Sequence, residues 1–115
     1  MRRGEVYLCD LSYGQTGHEQ DGTRPAIILS NDKFNNNRSW GTVIVVPIST
    51  SPSQAQRQYG IFLPQGSGGL PRDSVALCHQ ITTIDRDRVQ TLLGSLDAKL
   101  LGQVEAEVKI ILYLP

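Results

Sequence analysis

Net charge is the first thing this sequence lacks: eleven Lys and Arg balance eleven Asp and Glu, and the pI is near 6.7. A chain without a cationic surplus cannot coat nucleic acid through counterion release alone, so any polyanion must be met at a local site. Cysteine is almost as scarce. Cys9 and Cys78 stand far apart in apolar runs, outside any CxxC or zinc-type spacing, and read as two buried free thiols with no structural metal. No stretch approaches the ~18 apolar residues of a membrane span. The opening Met1–Asp10 segment has a basic start, but its apolar run breaks at Asp10, too short for a signal peptide, and it reads as a first strand. These absences point to a cytoplasmic protein with no membrane partner. Walker and GxGxxG phosphate loops are missing, as is a GxSxG nucleophile elbow around Ser49.

What is present is a chain of 115 residues, 39% of them apolar, enough for one domain over residues 1–115. A chain of this size buries roughly two-thirds of its unfolded surface and needs no metal or disulfide staple. Runs rich in β-branched residues recur at Val6–Leu11, Pro25–Ser30, Thr42–Ile48, Tyr59–Leu63 and Ser74–Ile84, bounded by turn residues. Five short strands in so little sequence predict a mainly β fold, a small barrel or strongly bent sheet. After Ser95 the period changes. Leu100, Leu101, Val104, Val108, Ile111 and Leu112 recur at spacings of three and four, which predicts an amphipathic C-terminal helix over 97–113, capped by Ser95 or Asp97. Gly102 inside it marks either a close approach or a tolerated cost of about 1 kcal/mol.

Charge is uneven along the chain. Between Asp32 and Asp73 stand Lys33, Arg38, Arg57 and Arg72 with no acid, whereas Asp73 onward holds six acids against four bases. The centre is therefore locally basic, either a solvated face or a groove for a polyanion. Three segments offer chemistry. In Gly17–Pro25 a polar, glycine-rich loop turns into a strand at Arg24-Pro25, so Arg24 is either a surface ion-pair partner or a guanidinium placed for a bidentate phosphate contact. In Val45–Pro52 an apolar strand ends in Ser49-Thr50-Ser51, hydroxyls that either satisfy a turn or face a phosphate. In Asp73–Asp85, His79 and Gln80 end an apolar run, and the imidazole can carry a proton if substrate lies beside it.

Taken together, Arg3-Gly4-Glu5-Val6-Tyr7, the block Gly17-His18-Glu19-Gln20-Asp21-Gly22-Thr23-Arg24-Pro25, and Val45-Val46-Pro47-Ile48-Ser49-Thr50 with the later Gln80-Ile81-Thr82-Thr83-Ile84-Asp85 resemble the MazF/PemK toxins of toxin–antitoxin modules. Order and spacing fit over the whole chain. The resemblance implies an SH3-like β-barrel homodimer that cuts single-stranded RNA at short sequences without a metal or other cofactor, inhibits translation, and is held by a cognate antitoxin. It implies that Arg24 and a hydroxyl after the third strand form the catalytic pair. Ser49 matches that position; a threonine is more usual there, and Thr50 is adjacent. In the Kid-like branch a loop histidine, an arginine and an aspartate carry catalysis. His18 matches the first, but Leu77 and His79 occupy the other two places, so His18 is kept as an auxiliary.

RNA brings its own nucleophile, the 2′-OH. The protein need only align it, take its proton, hold the charged phosphate and protonate the leaving 5′-oxygen. Arg24 is too basic to be a general base and holds negative charge; Ser49 donates to a non-bridging oxygen. A single-strand reader works by holding splayed bases on polar edges, for which Glu19, Gln20, Ser74, His79 and Gln80 are the candidates. Trp40 and Phe34 are either stacking platforms or apolar contacts within the fold. A resemblance to CcdB toxins, which share this fold and bind a topoisomerase without cleaving RNA, is the competing reading.

Overall fold

Branched side chains stiff at χ1 pack well on a pleated surface, and the β-branched runs of this chain do form strands. They are β1 (Glu5–Asp10), β2 (Thr23–Ile28), β3 (Thr42–Ser49), β4 (Ile61–Leu63), β5 (Ser74–Ala76), β6 (Thr82–Asp85) and β7 (Val89–Ser95). The computed structural model describes residues 1–12 and 22–115. The strands make one sheet in the order β4-β5-β3-β2-β1-β7, with β6 beside β3, and every pairing is antiparallel. Central β3 gives one edge to β2; its other edge takes β6 along Thr42–Val45 and β5 at Ile48 and Ser49.

Both faces of the sheet carry a core, because alternate residues of the central strands are apolar in both directions. One cluster holds Val6, Ile27, Val46, Ile48, Leu63 and Ala76 under the C-terminal helix α3 (Ala98–Ile111), which contributes Val104 and Val108. The second, smaller cluster holds Cys9, Leu11, Ala26, Ile28, Val43 and Val45. Asp97 caps α3 by accepting from Leu100 N at 2.8 Å. Arg3 ties the helix to the sheet, pairing with Glu105 and donating from Nε to the Leu29 carbonyl at 2.9 Å.

The sheet curls into a half-barrel, and two backbones meet where it closes. The turn Ser67–Gly69 lies against β7 so closely that a Cβ on Gly69 would sit 2.0 Å from the Leu93 carbonyl oxygen. Gly69 also has φ +76°, a left-handed conformation that costs an L side chain about 1–2 kcal/mol. Gly94 offers the reciprocal gap, with its absent Cβ 2.8 Å from the Gly68 carbonyl carbon.

Several sequence expectations are corrected. The run expected as one strand over Ser74–Ile84 is two strands, split by a 3₁₀ turn at Cys78–Gln80. Tyr59 belongs to a short helix, α2 (Gln54–Tyr59), and β4 begins only at Ile61. Strand β7 was not expected: it is an edge strand, with Leu92 51% exposed, and lacks the clean alternation of a half-buried one. A further short helix, α1 (Asp32–Asn35), is capped by the Asn31 side chain. Ser95 lies in β7, which leaves Asp97 as the cap, and open space surrounds the place where a Gly102 Cβ would stand. Both cysteines are buried free thiols, as the sequence implies.

Candidate active site

The site is set by two prolines. In the β2–β3 ladder Ile28 pairs with Val45, Ile27 with Val46 and Ala26 with Pro47, and the pairing stops there. The alternation of the ladder turns the backbone polar groups of residue 25 toward β3, but Pro25 has no N–H to donate to Ile48, so the ladder lacks that bond at its last rung. On the other edge of β3 the Pro47 carbonyl accepts from Leu77 N at 2.8 Å, and Pro47 returns no donor. There β5 ends and the chain makes the 3₁₀ turn at Cys78–Gln80 before pairing resumes as β6. On this edge the ladder breaks at Val46 and Pro47, between the β6 and β5 pairings, whereas on the β2 edge it ends after Pro47.

Continued two residues past Ala26–Pro47, the register brings Arg24 opposite Ser49. Residues opposite one another in an antiparallel pair share a face. A single row therefore crosses the sheet: Cys9 opposite Arg24, then Ser49, then Val75 opposite Ser49, then Phe62 opposite Val75. It lies on the face away from α3, since Ala26 and Val45, two residues along from Arg24 and four from Ser49, belong to the second cluster. Arg24 is half-buried and already engaged by a neighbouring group. Ser49 is 5% exposed, and among the described residues its hydroxyl has no hydrogen-bond partner. A buried hydroxyl without a partner is a donor held ready at a cost, since most buried polar groups are satisfied. Thr50 is half-buried and lies past the end of β3, off the row. Burial pushes the Cys9 thiol beside Arg24 up to about 12, so it stays protonated and is no nucleophile.

The other predicted residues are distributed differently. His18, Glu19 and Gln20 lie outside the described residues. His79 is exposed and Gln80 half-buried, both on the 3₁₀ turn that Pro47 introduces, next in sequence to the Leu77 contact. Ser74 is fully buried, and its hydroxyl donates to the Arg72 carbonyl at 2.9 Å. Its side chain closes the entry to β5, which corrects its placement among base-reading edges. Phe34 and Trp40 are 40% and 46% exposed with ring centroids 4.7 Å apart, so they contact each other while each keeps an open face. Sequence reading missed what holds them: Arg86 donates from its guanidinium to the carbonyls of Phe34, Asn35, Asn37 and Trp40 at 2.8–3.2 Å. Among the described residues no group of three or more His, Cys, Asp or Glu side chains converges, and no helix is long and apolar enough to cross a membrane.

Two clefts lie on the other face. One of about 190 Å³ is lined by Phe34, Trp40, Ile44 and Thr83; another of about 300 Å³ mixes charged Arg3, Glu105 and Lys109 with Leu29, Val108 and Leu114. They abut, because Leu29 N donates to Ile44 O at 2.9 Å and the two side chains share a face. The exposed Ile110, Ile111, Leu112, Tyr113 and Leu114 at the end of α3 extend this apolar band.

Comparison with known proteins gives a consistent result. The sequence pattern of the PemK-like, MazF-like toxins of type II toxin–antitoxin systems matches residues 2–112. The chain is 39% identical over 114 residues to Endoribonuclease MazF of Staphylococcus saprophyticus, covering 99% of this chain and 92% of that one. It is 35% identical over 114 residues to Endoribonuclease EndoA of Bacillus subtilis, covering 99% and 96%. Among solved structures, MazF from Deinococcus radiodurans superposes with a TM-score of 0.81 at 24% identity, covering 99% of this chain and 97% of that one. A mycobacterial endoribonuclease in complex with its cognate antitoxin superposes with a TM-score of 0.74 at 24% identity, covering 100% and 95%.

Proposed function

Because the chain belongs to the PemK-like, MazF-like toxins of type II toxin–antitoxin systems, we propose that it is the endoribonuclease of such a system, cutting single-stranded RNA in the cytoplasm. The observation that supports the reading is the β2–β3 register, which, extended two residues past Ala26–Pro47, sets Arg24 against Ser49 on one face beside two prolines. The guanidinium makes a two-point contact with the non-bridging oxygens of the scissile phosphate, and the Ser49 hydroxyl donates to the same group as charge develops. The 2′-OH of the substrate attacks, leaving a 2′,3′-cyclic phosphate and a 5′-hydroxyl. The burial of Ser49 on the Arg24 row favours it over Thr50 as the catalytic hydroxyl. His18 assists from the loop, and Glu19, Gln20, His79 and Gln80 read base edges. The topoisomerase-binding alternative has nothing in these relatives' names to support it.

Two partners complete the reading. The exposed apolar residues Ile44, Ile110, Ile111, Leu112, Tyr113 and Leu114 form the surface by which a second copy makes the homodimer. An antitoxin with an acidic and apolar segment engages the basic centre of Lys33, Arg38, Arg57 and Arg72, so its affinity falls with added salt. Cleavage of a long RNA, followed by mapping of the ends, is the decisive experiment. Activity should persist in EDTA and vanish when the 2′-OH at the cut is replaced by hydrogen. Arg24→Lys, which keeps the charge and loses the fork, should stay severely impaired. A 5′-phosphate product would mean that water is the nucleophile and would overturn the mechanism.

A further inference from the structure

We infer that Phe62 is a substrate-binding residue, a platform on which one unpaired base beside the scissile phosphate stacks. The inference rests on the ribonuclease reading and deepens it. Phe62 stands opposite Val75, which stands opposite Ser49, so all three share the face that carries Arg24. Strands in a sheet lie about 4.8 Å apart, which puts Phe62 roughly 10 Å from the catalytic hydroxyl across the row, within the span of a neighbouring nucleotide.

The local chemistry fits a flat, anionic ligand. Val75 between them is 1% exposed, but Phe62 is 50% exposed, and an aromatic ring open to water has no structural need to be aromatic. Its strand, β4, pairs only with β5 and so lies at the edge of the sheet. The segments leading into β4 and β5 carry exposed Arg57 and Arg72, inside the stretch from Lys33 to Arg72 that has no acid. An aromatic ring flanked by cations, in line with a phosphate-holding pair, is the composition of a single-strand stacking site. Phe34 and Trp40, the aromatics singled out from sequence, sit beside Ile44 and Thr83, on the face away from this row.

The test uses a short RNA spanning one cut mapped on a long transcript. Stacking of one base on an aromatic side chain is worth about 1–3 kcal/mol by alanine substitution, or roughly a five- to hundredfold effect. Phe62→Ala and Phe62→Leu should both lower single-turnover kcat/KM by that factor while melting as wild type does, and Phe62→Trp should retain activity. Replacing the flanking nucleotide by an abasic residue should slow the wild type equally and leave Phe62→Ala no slower. Phe62→Leu with wild-type kinetics would overturn the stacking role while leaving the ribonuclease reading intact. So would a Phe62→Ala variant that cleaves normally but binds the antitoxin weakly, since the ring would then serve that partner. A folded wild-type protein that cuts no RNA would sink the ribonuclease reading and the stacking role with it.

Discussion

Removing the Ser49 hydroxyl should make this protein more stable and far less active. The side chain is 5% exposed and its oxygen has no partner among the described residues, on a row whose neighbours include Cys9 and Val75. Burying a hydroxyl without a compensating hydrogen bond costs about 1–3 kcal/mol by protein mutational data. Ser49→Ala deletes that penalty and creates almost no cavity, so a gain of about 1 kcal/mol is expected, roughly 3–6 °C in melting temperature at this chain length. Loss of one preorganised donor to a developing oxyanion costs on the order of 10² to 10³ in rate. Thermal melting beside single-turnover cleavage of one short RNA reads both effects, and Thr50→Ala is the control that should leave the rate within a few-fold. A fall in melting temperature for Ser49→Ala would show that the hydroxyl holds the strand end together. A rate lost instead in Thr50→Ala would move the catalytic role one residue along.

The half-barrel closure is tested by Gly69→Ala, which forces a left-handed L residue and a Cβ against the Leu93 carbonyl 2.0 Å away; a loss of about 3 kcal/mol or more in urea unfolding is expected. Gly102→Ala should do the reverse, raising stability by up to about 1 kcal/mol, because nothing lies within 4 Å of the new methyl; a loss on dimerisation alone would place the partner subunit there. Asp32 is held below its ordinary 3.8 by the donated Arg3 N–H, then by the Asn35 side chain. A depressed carboxylate stabilises the fold fully above its unfolded value and loses that contribution as pH falls through the folded one. The stability gap between wild type and Asp32→Ala should therefore be constant near neutral pH and shrink in acid; a gap that widened below pH 4 would contradict the assignment.

How much was legible beforehand depends on whether a residue speaks through its own period or through its neighbours. The strands around Val6, Ile27 and Val45 and the helix around Val104 and Val108 announce themselves because each buries a periodic apolar face. Strand β7 does not, since Thr91, Leu92 and Leu93 cover an edge with little burial, and their pairing to β1 is tertiary information. The split at Cys78–Gln80 is set by a proline some thirty positions earlier, whose missing N–H matters only once β3 and β5 are side by side. Arg24 and Ser49 stand out as a guanidinium at a strand entrance and a hydroxyl at a strand end, and the family resemblance pairs them; what no motif supplies is the register that aligns them with Cys9 and Phe62. Arg86 was invisible for the same reason. Its guanidinium binds four carbonyls from a loop about fifty residues away, and no local pattern records that.

Three costs this fold tolerates fall near the end of β3. Pro25 forfeits a ladder bond to Ile48, Pro47 forfeits one on the opposite edge of β3, and Ser49 keeps a buried hydroxyl with no partner among the described residues. At the helix starts and the barrel closure local preference and tertiary structure agree: Asp97 caps α3, Asn31 caps α1, and left-handed Gly68 and Gly69 stand in the turn that packs against β7. Sequences that fold well are consistent across levels, so violations gathered in one place call for a reason other than stability. Non-proline residues at 25 and 47 would restore ladder donors, and an apolar residue at 49 would satisfy the core. On the proposed function they would also remove the hydroxyl that is to meet a phosphate beside Arg24. A toxin that works as proposed needs neither a deep pocket nor a strongly basic surface, because two neighbouring strand ends would present the groups that the reaction requires.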